Sequence, residues 1–341
     1  SLVAGLTTGL FSAHHFHRVA GAGLLANLLA MPLVTLVVMP AGLVAMLLMP
    51  LGLDAWALQI MGQGLEGVVA VATSVNAFGG DISVGQIPLI STLATGAGFV
   101  ILVFLRSWLR LAGLALIGLG LVLATPLFAG KTPDILISES GKLVGVSGPD
   151  GLASNAARPS SFVFSQWQTA LRGATHVPPV QVRAVRPDQT ADPPAKPNAD
   201  SLDRLLRSAE LQTSRFHCAN RGVCAAVHAG VRIVAIDQAA LIGAACDRAD
   251  LVVISIPVYL DACRSGATLV TARTLRRTGS LAIIVQEDQA QSGFQVSQAG
   301  DKAGNSTGAH FRIDAAVQGV IRPWTVQRYY EWRTGTFDLP G

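Results

Sequence analysis

The stretch HCANRGVCAAVH, residues 217–228, sets two imidazoles and two thiols within twelve residues. Those side chains hold zinc and similar ions, and His217, Cys218, Cys224 and His228 form the candidate ligand set. Their spacing matches none of the common zinc templates, which usually pair ligands two to four residues apart. Cysteines have a second chemistry. In an oxidising compartment they pair, and the four present (Cys218, Cys224, Cys246, Cys263) allow three connectivities. Closeness in sequence favours Cys218–Cys224, which closes a short glycine-containing loop, and Cys246–Cys263, which brackets the apolar run DLVVISIPV. Disulfides are the preferred reading and a metal site the alternative.

A second concentration of polar chemistry lies in SAHHFHRVAGAGLLANLLAMPLV, residues 12–34. His14, His15, His17 and Arg18 stand directly before a long apolar run, and Asn27 and Pro32 lie inside it. A proline within a helix removes one intrahelical bond, and in lipid the freed carbonyl must find a partner in protein or in a water-filled cavity. An amide at that depth has the same need. Broken helices carrying polar groups are how transport pathways are built in many membrane proteins, so these residues, with Glu66, are candidates to line a passage. The plainer reading is a proline kink, an asparagine that joins helices, and interfacial histidines without partners.

Catalytic chemistry finds no foothold. The sequence contains no G-x-S-x-G elbow, no H-E-x-x-H pair, no phosphate-cradling G-x-x-x-x-G-K-[ST] and no H-x-H-x-D-H cluster. His176, His217, His228 and His310 read as single surface or turn residues, and the glycine-rich GDKAGNSTG, residues 300–308, as a flexible loop. No catalytic residue and no cofactor is assigned, and the chain reads as a non-enzyme.

The elements that must position these residues divide sharply. The chain of 341 residues has a mean hydropathy of +0.47 and 13% charged residues, about half the usual fraction for a soluble domain. Residues 1–130 hold only Arg18, Arg106 and Arg110 against Asp54, Glu66 and Asp81, so the other 22 basic and 18 acidic residues all lie beyond. An apolar N-terminal part is therefore followed by one of ordinary soluble composition. The chain opens at Ser1, without a methionine and already in apolar sequence, and reads as a fragment of something longer.

Roughly 20 apolar residues cross a bilayer core. Val19–Met49, Ile90–Leu105 with its flanks, and Leu111–Phe128 meet that requirement. Ala55–Val75 carries Gln59, Gln63 and Glu66 near helical spacing, which predicts an amphipathic helix at the interface or facing a channel. Basic residues in short loops favour the cytoplasm. Arg106 and Arg110 are then inside, Arg18 joins them if Ala55–Val75 stays at the outer interface, and Leu111–Phe128 delivers the C-terminal part outside.

Beyond residue 130 a mixed α/β pattern is expected: β-like runs at 134–140, 142–148 and 161–165, a short helix at 166–172, and a helix at 201–211. A hairpin over 222–237 turns at His-Ala-Gly, and a helix at 238–246 precedes further runs DLVVISIPV, ATLVTART and SLAIIVQ. Residues 175–200, rich in proline and charge, read as a flexible insertion that divides the soluble part into 131–174 and 201–341. The aromatic tail GVIRPWTVQRYYEW either docks on the sheet or stays mobile.

The block FHRVAGAGLLANLLAMPLVTLVVMP, with Phe16, His17, Ala26, Asn27, Leu28, Leu29, Ala30, Pro32 and Pro40, resembles the membrane core of the ComEC family of competence proteins. PDILISESGKLVGV and the Cys218, Cys224, Ala245, Cys246, Ala249, Asp250, Leu251 and Cys263 positions resemble the C-terminal region of proteobacterial members. The resemblance implies a membrane helical bundle in the bacterial inner membrane, followed by a periplasmic mixed α/β domain. That domain would be a degenerate metallo-β-lactamase-like fold held by disulfides, since the histidine metal motif of nuclease-type relatives is absent. The implied function is part of a channel for single-stranded DNA uptake in natural transformation. The implied partners are single-stranded DNA, the lipid bilayer, a DNA receptor, cytoplasmic DNA-processing competence proteins and further copies of the chain. A non-catalytic extracytoplasmic binding or assembly module, anchored by membrane helices, is the alternative. A metal-dependent hydrolase or nuclease using residues 217–228 is a third reading.

Overall fold

The structure, a computed structural model, describes residues 2–78, 80–125, 128, 130–182, 199–219, 222–286 and 310–339. It divides into two compact units: residues 1–130 with 166–173, and residues 131–165 with 174–341.

In the first unit, α1 (Leu2–Phe16) leads through His17 into β1 (Arg18–Ala20), and α2 (Gly23–Leu33) and α3 (Met39–Leu48) follow. Next come α4 (Ala55–Phe78), β2 (Asp81–Ser83), α5 (Leu89–Phe104) and α6 (Arg110–Leu123). The prolines do not break the helix that contains them. Helical backbone runs unbroken from Gly23 to Leu51, 29 residues, because Val34–Val38 widens into a π-turn between Pro32 and Pro40. The Met39 N–H reaches back five residues to the Val34 carbonyl, and the Thr35 hydroxyl donates to the Met31 carbonyl at 2.8 Å. The helical backbone thus passes both prolines by widening locally instead of breaking. At 1.5 Å per residue the run is about 43 Å long, and it is the one described helix long and apolar enough to cross a membrane. Only 6% of its apolar window is buried, and Leu36 and Met46 are more than 70% exposed, as a lipid-facing helix requires. The other two expected spans are shorter, 16 residues in α5 and 14 in α6.

α4 does not lie across the end of this run. It returns alongside it: Gly42 meets Met61, Gly64 meets Val37 and Val38, and Gly67 meets Leu33. β1 and β2 then pair antiparallel, Arg18 opposite Ser83 and Ala20 opposite Asp81, and close the hairpin at the end where it began. The interfacial helix expected over 55–75 is therefore corrected to the second arm of an antiparallel hairpin. Its glycines, set among valines, let the two backbones approach closely.

The second unit is a sandwich. One sheet contains β3 (Ile135–Ile137), β4 (Val144–Gly148), β5 (Gly151–Ser154) and β6 (His176–Val177), with helix α7 (Ser161–Ala170) between β5 and β6. The other receives β7 (Val180–Gln181) and, after α8 (Ala199–Leu211), β8 (His217–Ala219), β9 (Val223–His228) and β10 (Val231–Ile236). α9 (Ile242–Cys246), β11 (Leu251–Ile254), β12 (Thr268–Thr271), α10 (Ala272–Thr278), β13 (Leu281–Gln286) and β14 (His310–Ala315) complete the layers. β15 (Tyr330–Glu331) and β16 (Thr336–Phe337) form a small hairpin in the tail. The strand orders are β14-β13-β3-β4-β5-β6 and β12-β11-β10-β9-β8-β7. Ile135, Ile137, Val144 and Ile283 of the first sheet face Ile233, Leu251 and Val253 of the second in one core. α8 and α9 cover the outer face of the second sheet through Leu202, Leu205, Leu206, Ile242 and Ala245.

The hairpin over 222–237 is present, and its turn residues Ala229 and Gly230 both have positive φ, 48° and 77°. SFVFS, residues 161–165, is helix instead of strand: Phe164 turns inward against His176 while Phe162 stays exposed, a helical and not a β pattern of burial. ATLVTART is strand only to Thr271, whose side chain caps α10 by accepting from the Thr274 N–H. The expected insertion begins later than 175, because β6 and β7 occupy 176–181 at sheet edges with Pro178 and Pro179 between them, where no ladder hydrogen bond is lost. Residues 183–198 and the loop 300–308 lie outside the described residues.

Candidate functional site

The polar residues before the apolar run are gathered at one end of the first unit. His17, at φ 56°, turns the chain from α1 into β1, and its carbonyl accepts from the Val84 N–H at 2.9 Å. His14 Nδ1 lies 3.1 Å from the Thr92 hydroxyl on α5, and its ring meets that of His15 edge to face at 5.0 Å. The Ser12 hydroxyl donates to the Arg18 carbonyl. His17 Nδ1 is buried without a hydrogen-bond partner. Burial first, then the charge of His14, hold its pKa below the ordinary histidine value, and the backbone of Gly85 acts the other way. This is a cluster of three imidazoles beside one arginine. Among the described residues no three His, Cys, Asp or Glu side chains are arranged to hold a metal.

Asn27, Pro32 and Glu66 are placed elsewhere, along the exposed sides of the helical hairpin. Neither Asn27 nor Glu66 makes a side-chain hydrogen bond or ion pair with a described residue. Gln59, Gln63 and Glu66 are all exposed, one above another on α4. Gly67 packs against Leu33 and Gly64 against Val37, so Glu66 stands near the level of Val34, and Asn27 lies about 10 Å nearer the β1–β2 end. The seven candidate residues thus divide into an end cluster of four and a helix surface of three.

The same contacts fix which ends coincide. Leu10 of α1 lies beside Gly96 of α5, and the Ser91 hydroxyl on α5 donates to the Gly120 carbonyl of α6 at 2.6 Å. α5 therefore starts, and α6 finishes, at the end that holds His14 and Arg18, whereas Arg106 and Arg110 sit at the far turn. Arg18 and Arg106 lie at opposite ends, not the same one. The charge-based expectation that put them together is corrected, because α4 returns across the unit.

In the second unit Cys218 is bonded to Cys224 and Cys246 to Cys263. These cysteines are not available as ligands, and the proposed metal set comes apart. His228 Nδ1 is 2.9 Å from the Ser214 hydroxyl, and its Nε2 is 3.6 Å from Asp134. His217 is buried on β8 opposite Ala225, in the apolar layer under α8, with neither ring nitrogen partnered. It is a core residue, not the surface residue expected from sequence. The Ser214–His228–Asp134 chain has the composition of a hydrolytic triad, but its His–Asp separation exceeds hydrogen-bond range and the Asp134 carboxylate already accepts from the Val285 N–H at 2.8 Å. It ties strand ends together.

Residues 1–109 match the family described as Competence protein. The segment similar to this family holds all seven candidate residues of the first unit, the end cluster and the helix surface alike. It ends in the α5–α6 turn and so takes in about a third of the chain. No curated protein and no solved structure gives a match, so the metallo-β-lactamase-like fold expected for the second unit has no support from relatives.

The residues that the spacing of motifs did not bring forward are arginines and aromatics of the second unit. Arg333 lies 4.3 Å and Arg273 5.2 Å from the Tyr259 ring, and Arg277 lies 5.8 Å from that of Tyr329. The Tyr259 hydroxyl donates to Glu331 at 3.0 Å; this bond above all holds the Glu331 carboxyl below its usual range. The alternation of Arg with Trp and Tyr in RPWTVQRYYEWR was the visible signal.

Proposed function

We propose that the first unit is part of an inner-membrane channel that takes up single-stranded DNA in natural transformation, with the run Gly23–Leu51 bordering the passage. The observation that carries this is the match of residues 1–109 to competence proteins. The exposed, unpartnered amide of Asn27 and the polar stripe of α4 support it, since groups at bilayer depth without protein partners need water.

Sidedness follows from two independent criteria. Two disulfides favour an oxidising compartment for the second unit, which the chain enters from the His14–Arg18 end. Arg106 and Arg110, in the short turn at the far end, favour the cytoplasm. We therefore place the histidine end and the second unit in the periplasm, where His14, His15, His17 and Arg18 form an entrance and receive DNA from a receptor. Arg106 and Arg110 then face the cytoplasmic processing proteins.

The second unit is read as non-catalytic. Its two mixed sheets, one covered by α8 and α9, are read as a degenerate metallo-β-lactamase-like domain on the strength of the sequence resemblance alone.

The test is replacement of Asn27 by Leu together with Pro32 by Ala in the intact gene. Internalisation of labelled DNA is expected to fall at least about tenfold, while binding at the cell surface and the amount of protein stay unchanged. Undiminished internalisation would discard the assignment.

A further inference from the structure

We propose that the arginine and aromatic surface built by α10, the Tyr259 segment and the tail 320–339 is a seat for single-stranded DNA in the second unit. The inference rests on the uptake reading above for the identity of the polymer, but on its own residues for the site.

The tail is pinned by carboxylates. Asp338 pairs with Arg273 and Arg277, Glu331 with Arg273, and Glu139 with Arg328 at 2.7 Å. Asp261, 3.9 Å from Arg273, is the remaining acid. These pairings leave Arg276 and Arg322 without an ion-paired carboxylate among the described residues, whereas Arg333 shares Glu331 with Arg273 and Tyr259. Arg276 is held to the tail by a bond from its guanidinium to the Gln327 carbonyl. Arg322 lies 5.5 Å from the Trp324 ring, and Arg333 lies 5.7 Å from that of Trp332. Trp324 is 66% and Trp332 69% exposed. Two indoles left in water, each beside an arginine, of which Arg322 has no ion-paired acid and Arg333 only the shared Glu331, are costly for a soluble surface that holds nothing.

Single-stranded DNA fits this arrangement on both counts. Its bases offer flat apolar faces that stack on indole, and its phosphates meet guanidinium groups fixed beside the rings. Duplex hides those faces, so the seat discriminates against it. No base-reading pocket is needed, and the seat tolerates any sequence, as an uptake system must.

The test uses the full chain in nanodiscs of zwitterionic lipid. Tryptophan quenching and fluorescence anisotropy are recorded with a labelled 20-nucleotide oligo-dT, the matching duplex, and discs containing brominated anionic lipid without DNA. Oligo-dT is expected to bind more tightly than duplex, with affinity falling as salt rises. Trp324→Ala and Trp332→Ala each weaken it about tenfold. Arg322→Gln and Arg333→Gln each lower the slope of log K against log salt by about 0.7. Binding that these four variants leave unchanged overturns the seat, as does equal affinity for duplex. A component of brominated-lipid quenching that Trp324→Ala and Trp332→Ala remove, beyond that of Trp56 and Trp108 in the membrane unit, also overturns it and makes the patch a membrane anchor. A chain whose tail fails these measurements while Asn27→Leu with Pro32→Ala still abolishes internalisation loses the seat and keeps the passage.

Discussion

Burial of His217 strips water from both ring nitrogens, and neither finds a protein partner among the described residues. Desolvation first, and the charge of Arg215 second, lower its pKa below 6.5, with the Gln212 backbone opposing. The native state then binds fewer protons than the unfolded chain once pH drops toward 6.5. Stability is full above that value and is lost as pH falls through it to the lowered native pKa. His217→Leu, which keeps an apolar layer under α8, is expected to flatten that limb of the melting temperature below the ordinary histidine pKa of about 6.5. A limb that persists unchanged in the variant assigns the titration elsewhere. Sequence showed the histidine but not its burial, because a three-residue strand leaves too little periodicity to tell which face it presents. The cysteines were easier, since nearness in the chain already favoured the pairs that form.

At the scale of elements, α5 and α6 approach until glycine backbones touch. A Cβ added at Gly113 would stand 2.6 Å from the Gly98 carbonyl and 2.9 Å from the Leu102 nitrogen, and backbone cannot yield as a side chain does. Gly118 on the same helix has nothing within 4 Å. Gly113→Ala should therefore cost about 1–3 kcal/mol in reversible unfolding from mixed micelles, and Gly118→Ala close to nothing. Equal behaviour of the two variants would contradict the hairpin. Apolar sequence announced these helices but not their partners, because a helix apolar all round shows no stripe from which a neighbour can be read. The prolines were legible as disturbances. That the run would absorb them in a π-turn, with Thr35 supplying a hydroxyl, depends on a polar side chain too ordinary to stand out.

For the molecule as a whole, the division into an apolar and a soluble part was written in the placement of charge. Sidedness was not, because a single arginine at position 18 cannot outvote the path of α4, and that path appears only once β1 is seen paired with β2. The candidate residues were likewise visible by type, and only the fold separates an end cluster from a helix surface. The measurement that bears most directly on the passage is the reaction of Asn27→Cys, in the complete assembly in intact membranes, with a membrane-impermeant thiol reagent added from the periplasmic side. Fast labelling that single-stranded DNA slows is the predicted result. A thiol deaf to the aqueous reagent yet modified by a lipid-dissolved one would show that position 27 faces hydrocarbon, and the passage along Gly23–Leu51 would be contradicted.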